Sequence, residues 1–205
     1  MSDNSFRSKV SEIRSLENPI PPSERHEFDI RDLEAGGFLL LDETPFKVVD
    51  CFRYQETDEN HTKDWKFCSY ELKLCNLLTG DTELIEWEDG DELLILLTLE
   101  ELSLRDLQAD GDPISSMSAV KSADKIEYNG KKFWYEEMWA ANYHRLSQKG
   151  DPEPVHLWEF ESQNRYLTIE DWKLGAGREN RVYTTREVPS TKIEIISTDG
   201  GDANG

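Results

Sequence analysis

Four glutamates stand in matched settings along this sequence. Tyr70-Glu71-Leu72 is echoed by Trp158-Glu159-Phe160, and Ile85-Glu86-Trp87 by Ile169-Glu170 with Trp172 close by. If the matching positions meet in space, their carboxylates share a proton or bind a cation, because neighbouring like charges resist simultaneous ionisation. The plainer expectation for each is a glutamate on the solvated face of a strand. A fifth, Glu137, lies in FWYEEMWAANYHRL, residues 133 to 146, where five aromatic rings, two glutamates and a histidine crowd fourteen positions. The preceding Asn129-Gly130 is a hairpin signal, because both residues tolerate the positive φ of a type I′ turn. Lys132 to Trp139 is therefore read as extended, with a bulge or bend near Ala140 and Ala141 that lets the strand continue. On that reading Glu137 shares the aromatic face and is the carboxylate with the clearest physical reason to be perturbed by its surroundings.

Six tryptophans fill the core and the seam between two halves, or else line a groove built from Trp87, Trp134, Trp139 and Trp172. Other chemistry finds no foothold. There is no CxxC, no HExxH and no histidine pair at helical spacing, so no metal site is expected. Cys68 and Cys75 are an odd number of residues apart and diverge on a strand; Cys68 reads as a small core residue beside Tyr70. GAGREN, at 175 to 180, lacks the full dinucleotide pattern and reads as a hairpin loop, and WEDGDE, at 87 to 92, reads as an acidic turn rather than a calcium loop. His144 and His156 have no serine or cysteine neighbour that would form a relay. No catalytic residue and no cofactor are assigned.

The elements that must position these residues are strands. FLLLD, FKVVDCFRY, KFCSYELKL, TELIEWED and ELLILLT form one series, and KIEYNGKKFWYEE, VHLWEFES, RYLTIEDW, RVYTTREV and STKIEIIS a second. In the third run Cys68, Tyr70, Leu72 and Leu74 share one face, and Phe67, Ser69, Glu71 and Lys73 the other. LTGD, at 78 to 81, turns the chain back. Thr98 and Glu101 have capping-box spacing, which tips TLEELSLRDL toward a short helix. The reading is mainly β with little helix: two related antiparallel β-meander halves packed as a sandwich or barrel-like unit. Residues 1–29 form a flexible arm, 30–107 the first half, 108–124 a connecting segment, 125–197 the second half and 198–205 a disordered tail.

Composition bounds the partners. The 205 residues carry 43 acidic against 23 basic side chains, and a net charge of -20 repels phosphate backbones and anionic lipid. Direct nucleic-acid binding is disfavoured. No apolar run reaches the length of a membrane span and the N-terminus lacks a secretory h-region, so membrane insertion is not expected and a cytoplasmic location is. Three cysteines without an export signal read as free thiols.

The order LEAGGFLLLDETPFKVVDCFRY, then Trp65 ahead of YELKL, then YNGKKFWYEEMWAANY, LWEF and LTIEDW, resembles the bacterial family described as domain of unknown function 4178. The resemblance spans most of residues 31 to 196 and implies a β-rich fold with no established activity. It also implies a setting beside genes for envelope-stress and membrane-remodelling proteins or polyamine-related enzymes, and it carries over no functional residue. The expected role is accordingly a non-enzymatic protein-interaction module, in a stress or membrane-associated assembly, with a protein partner. Its alternative is a small-molecule or cation binder, or an enzyme, using the glutamate cluster between the halves, with Glu137, Glu71, Glu86, Glu159, Glu170, Trp87, Trp139 and Trp172 as candidate binding residues. A third reading is an acidic mimic of nucleic acid. The sequence carries no signal for oligomeric state.

Overall fold

Alternating runs pair with their neighbours wherever a tight turn lets the chain reverse, and this chain reverses repeatedly. A computed structural model describes residues 19–90, 92–174 and 177–199. Its strands are β1 (Gly36–Leu41), β2 (Thr44–Thr57), β3 (Asp64–Asn76), β4 (Thr82–Asp89), β5 (Leu93–Leu102), β6 (Gln108–Ala109), β7 (Asp112–Pro113), β8 (Lys125–Tyr128), β9 (Lys131–Arg145), β10 (Glu153–Ser162), β11 (Arg165–Leu174), β12 (Gly177–Glu187) and β13 (Ile193–Asp199). One short helix, α1 (Met117–Lys121), is present among the described residues. Asn129 and Gly130 adopt φ of 49° and 73°, as the hairpin between β8 and β9 requires. Gly80 takes φ of 85° in the β3–β4 turn, where the Asn76 side chain accepts from the backbone of Leu78 and Thr79.

The meander β2-β3-β4-β5 and the meander β9-β10-β11-β12 close on each other into an eight-stranded antiparallel barrel. One seam pairs β5 with β12 and the other pairs Phe52–Thr57 of β2 with Ala140–Arg145 of β9. The barrel-like alternative is thus the correct one, with extra strands attached to it. Strands β1 and β13 extend the sheet beyond the first half of β2, while β8, β6 and β7 extend it beyond the first half of β9.

Closure decides what each face of a strand becomes. Leu72, Leu74, Ile85, Trp87, Ile95 and Leu97 point out of the barrel and are buried against Ile30, Leu39, Leu41 and Ile195 of the outer layer. On the second meander, Trp158, Phe160, Leu167, Ile169 and Val182 point outward and are covered by Leu107, Ile114, Met117, Val120 and Ile126. Each such aliphatic or phenyl side chain contributes about 1.5–3 kcal/mol through burial, so the outer layers hold the wall firmly from outside. The opposite faces line the interior, and on β3, β4, β10 and β11 they bear the glutamates.

Several local expectations are corrected. TLEELSLRDL is not helical: β5 continues to Leu102, because Thr98 and Glu101 pair with Thr185 and Tyr183 of β12, and only Leu104–Asp106 forms a 3-10 turn. Sheet closure outweighs a weak capping signal there. The connecting segment 108–124 carries β6, β7 and α1, whose Ile114, Met117 and Val120 form part of the second outer core. The arm is partly built into the fold: Ile20 donates its N–H to Ile196 O of β13, Arg25 pairs with Glu194 at 2.7 Å, and Phe28 packs on the first core. Thr198 and Asp199 belong to β13, whereas residues 1–18 of the arm and 200–205 of the tail lie outside the described residues. Of GAGREN, residues 177–180 belong to β12, and residues 175 and 176 lie outside the described residues. The bulge in β9 falls near Glu136, between the pairs Glu159↔Glu137 and Phe160↔Tyr135, instead of at Ala140 and Ala141.

Gly37 sits where β13 presses on β1. A Cβ there would lie 2.7 Å from Thr198 O and 2.9 Å from Ser197 O, both backbone atoms. Gly37→Ala is expected to destabilise the chain by about 1–3 kcal/mol in urea titrations, the cost of overpacking.

Candidate functional site

Pairing register defines the lumen residue by residue. Tyr54 opposes Ser69 and Tyr143, and Glu71 opposes Phe52 on β2 and Glu86 on β4. Glu170 opposes Leu157 and Arg181, and Glu159 opposes Glu137 and Thr168. Opposed residues share a face, so all of these point inward. Inside the barrel Tyr54, Trp139 and Trp172 pack with Ala141, Val155 and Leu157 into a third core cluster, against which Phe67 and Tyr143 lie. The rings of Tyr54 and Tyr143 lie 4.8 Å apart, and those of Tyr143 and Trp172 lie 4.9 Å apart.

Three of the inward carboxylates have hydrogen-bond donors. Tyr54 Oη donates to Glu170 Oε1 at 2.9 Å and Trp172 Nε1 to Glu170 Oε2 at 2.7 Å. Ser69 Oγ donates to Glu86 Oε1 at 2.5 Å, and Trp139 Nε1 to Glu159 Oε1 at 2.6 Å. Among the described residues no donor reaches the carboxylates of Glu71 or Glu88. Arg181 lies over the Trp172 ring at 4.7 Å, bonds Glu179 at 2.8 Å, and with Lys73 acts electrostatically on Glu71. Thr185 opposes Tyr166 on the lumen side, is 3% exposed, and its Oγ1 has no hydrogen-bond partner. Glu71, Glu86, Glu88 and Glu159 are half-buried.

Burial and mutual repulsion move these groups together. Burial, then the charges of Glu170 and Glu86, holds Glu71 well above the usual carboxylate range. Burial raises Glu86 to about 7, against the Ser69 hydrogen bond, and raises Glu159 to about 7, against that of Trp139. Glu88 rises to about 8 through burial and then the charges of Glu86, Glu159 and Glu137. Glu170 is raised by burial, with Trp172, Tyr54 and Arg181 opposing. Near neutral pH the cluster therefore holds protons that it can exchange for another positive charge. Among the described residues no three His, Cys, Asp or Glu side chains are grouped to hold a metal ion.

The family model described as domain of unknown function 4178 matches residues 34–190, most of the chain. The chain belongs to that family. In this 4178 member the match takes in the whole barrel and stops short of β13. No curated protein and no solved structure matches the chain. No helix among the described residues is long and apolar enough to cross a membrane.

Within this family member the barrel brings together Glu71, Glu86, Glu159 and Glu170, and adds Trp139 and Trp172 from the aromatic candidates. Glu137 does share the aromatic face and is solvent-exposed; Glu88 and Glu159, on which its charge acts, are raised chiefly by burial. Trp87 is not part of the lumen: it lies outside the wall, stacked on Tyr70 at 4.2 Å. Trp134 is 57% exposed on the outer sheet. Sequence reasoning missed Glu88, Tyr54, Ser69, Thr185 and Arg181. Glu88 was visible in principle, since it follows Glu86 by two residues on one strand and must share its face.

Proposed function

We propose that the barrel interior is a receptor for a small organic cation, an amine held by carboxylates against aromatic walls. One observation carries the reading: five glutamates, Glu71, Glu86, Glu88, Glu159 and Glu170, face one lumen that is lined by Tyr54, Tyr143, Trp139 and Trp172. An eight-stranded barrel has room inside for side chains or one small ligand. Carboxylates supply charge pairing, and aromatic faces attract ammonium groups by a further ~0.5–2 kcal/mol when water is excluded. Three free cysteines suit a reducing compartment, and we place this function in the cytoplasm.

Calorimetry and thermal melts at pH 8 with n-butylammonium, tetramethylammonium, n-butanol, butyrate and calcium test it. Saturation at 100 times Kd stabilises by about 2.7 kcal/mol, an upward shift of about 5–10 °C for a domain of this size. The ammonium compounds are expected to produce such a shift and to release protons, read from the buffer dependence of the heat. Glu86→Gln with Glu159→Gln should abolish both. Equal shifts from butanol, or none from any amine, would sink the proposal.

A second reading, docking to a protein partner in a stress or membrane-associated assembly, has its own support. Trp65, Trp134 and Tyr135 are 50%, 57% and 45% exposed, more aromatic surface than a well-solvated face needs. Capture of one discrete partner by the wild-type chain, lost with Trp134→Ala, is the expected outcome of a pull-down from the native host.

A further inference from the structure

The pairing of β2 with β9 ends at Thr57↔Ala140. Beyond that point β2 passes into the loop of residues 58–63, while the earlier part of β9 runs on between β8 and β10. No strand pairing spans the gap. It is a cleft of about 410 Å³ whose lining includes Glu56, Asp58, Glu59, Trp65, Met138 and Trp139. Trp139 also belongs to the lumen, where it meets Tyr54 and Phe67, so the cleft and the lumen share a wall. Trp65 is half exposed at its edge.

We infer that this cleft is the entrance to the barrel and the first binding position for the cation, between Glu56 and the rings of Trp65 and Trp139. The inference rests on the receptor reading of the lumen and adds the route. Carboxylates follow one another along it. Glu56 and the exposed Glu137 interact at the outside, Glu137 acts on Glu88 and Glu159, and these act with Glu86. At the far end Arg181 covers Trp172, a cation that opposes entry of another. A second feature marks the interior as a place for a ligand: the buried Thr185 hydroxyl faces the lumen without a partner. The cleft wall is already organised. Asp58 accepts from the backbone of Thr62 and Lys63, the His61 and His156 rings meet at 4.8 Å, and His156 Nε2 lies 3.2 Å from Glu59 O.

Ser69→Cys places a thiol in the lumen beside Glu86, and Thr168→Cys offers a second position should the first fail to fold. The probes are a trimethylammonium and a sulfonate methanethiosulfonate of equal size, with the labelled peptide identified by mass. The cationic probe is expected to modify the introduced thiol about tenfold faster than the anionic one, a ratio that shrinks in 0.5 M salt. Glu56→Lys should remove most of that advantage, and Glu179→Lys, at the far end, should leave it within about twofold. The reverse pattern would move the entrance to the Arg181 end. No labelling at either position in folded protein would overturn the inference. Labelling through the cleft, with no amine producing a thermal shift, would uphold the entrance and sink the receptor.

Discussion

Unfolding free energy is expected to fall as pH rises from 4.5 to 8, opposite in sign to the acid unfolding of ordinary proteins. The lumen glutamates have raised values in the folded chain, about 7 for Glu86 and Glu159 and about 8 for Glu88, against 4.5 when unfolded. Between those limits the folded state binds more protons than the unfolded one, so stability present in full below 4.5 is lost as pH climbs through the folded values. A group shifted from 4.5 to 7 accounts for about 3 kcal/mol at order-of-magnitude precision, and coupling within the cluster makes the total less than the sum. His144, lowered by burial and then by Arg53, acts the other way around and below 6.5. Asp29 and Asp42, held low by Arg31 and Lys192, contribute only on the acid side of 3.8. Guanidinium titrations at pH 5, 6, 7 and 8 read the slope. Glu86→Gln and Glu88→Gln should match wild type at pH 5 and exceed it by about 2–3 kcal/mol at pH 8, because an amide keeps the shape and cannot ionise. A flat profile over this range would remove the buried cluster as a physical entity.

Trp172→Ala is expected to cost about 3–5 kcal/mol, the usual range for emptying a fully buried indole site. The ring is 0% exposed, packs edge-on to Tyr143, supports Arg181 on its face and donates Nε1–H to Glu170. Trp172→Phe retains most of the packing and loses the donor, so about 1–3 kcal/mol is expected from the under-satisfied carboxylate. The two variants also differ in pH response: without the indole donor Glu170 moves further up, and the loss of stability between pH 5 and 8 steepens. Denaturant titrations of both variants at two pH values separate packing from hydrogen bonding. A cost below about 1 kcal/mol for the alanine variant would mean that this part of the lumen is not packed.

Much of the barrel was legible residue by residue. Asn129-Gly130 and LTGD marked true turns, and the division of β3 into Cys68-Tyr70-Leu72-Leu74 and Phe67-Ser69-Glu71 is the division found. Glu71 and Glu86 stand on β3 and β4 of one meander, and Glu159 and Glu170 on β10 and β11 of the other. Less visible was any element whose identity depends on a distant partner. Thr98–Leu102 has a local helix signal and becomes strand because β12 lies beside it, and Ile114, Met117 and Val120 sit in a polar segment yet complete a core.

Alternation along each strand determined which side chains travel together, and that much belongs to the sequence alone. Which face becomes interior is a property of closure. The apolar face of β3 and β4, read from sequence as the core side, does form a core, but outside the wall, because β1, β13 and residues 20–33 cover it. The polar face, read as solvated, is then enclosed by the opposite meander, and glutamates that would have been unremarkable on a surface are pushed upward by burial first and by neighbouring carboxylates second. No local pattern encodes that inversion, since it depends on β2 meeting β9 and β5 meeting β12 across long stretches of chain.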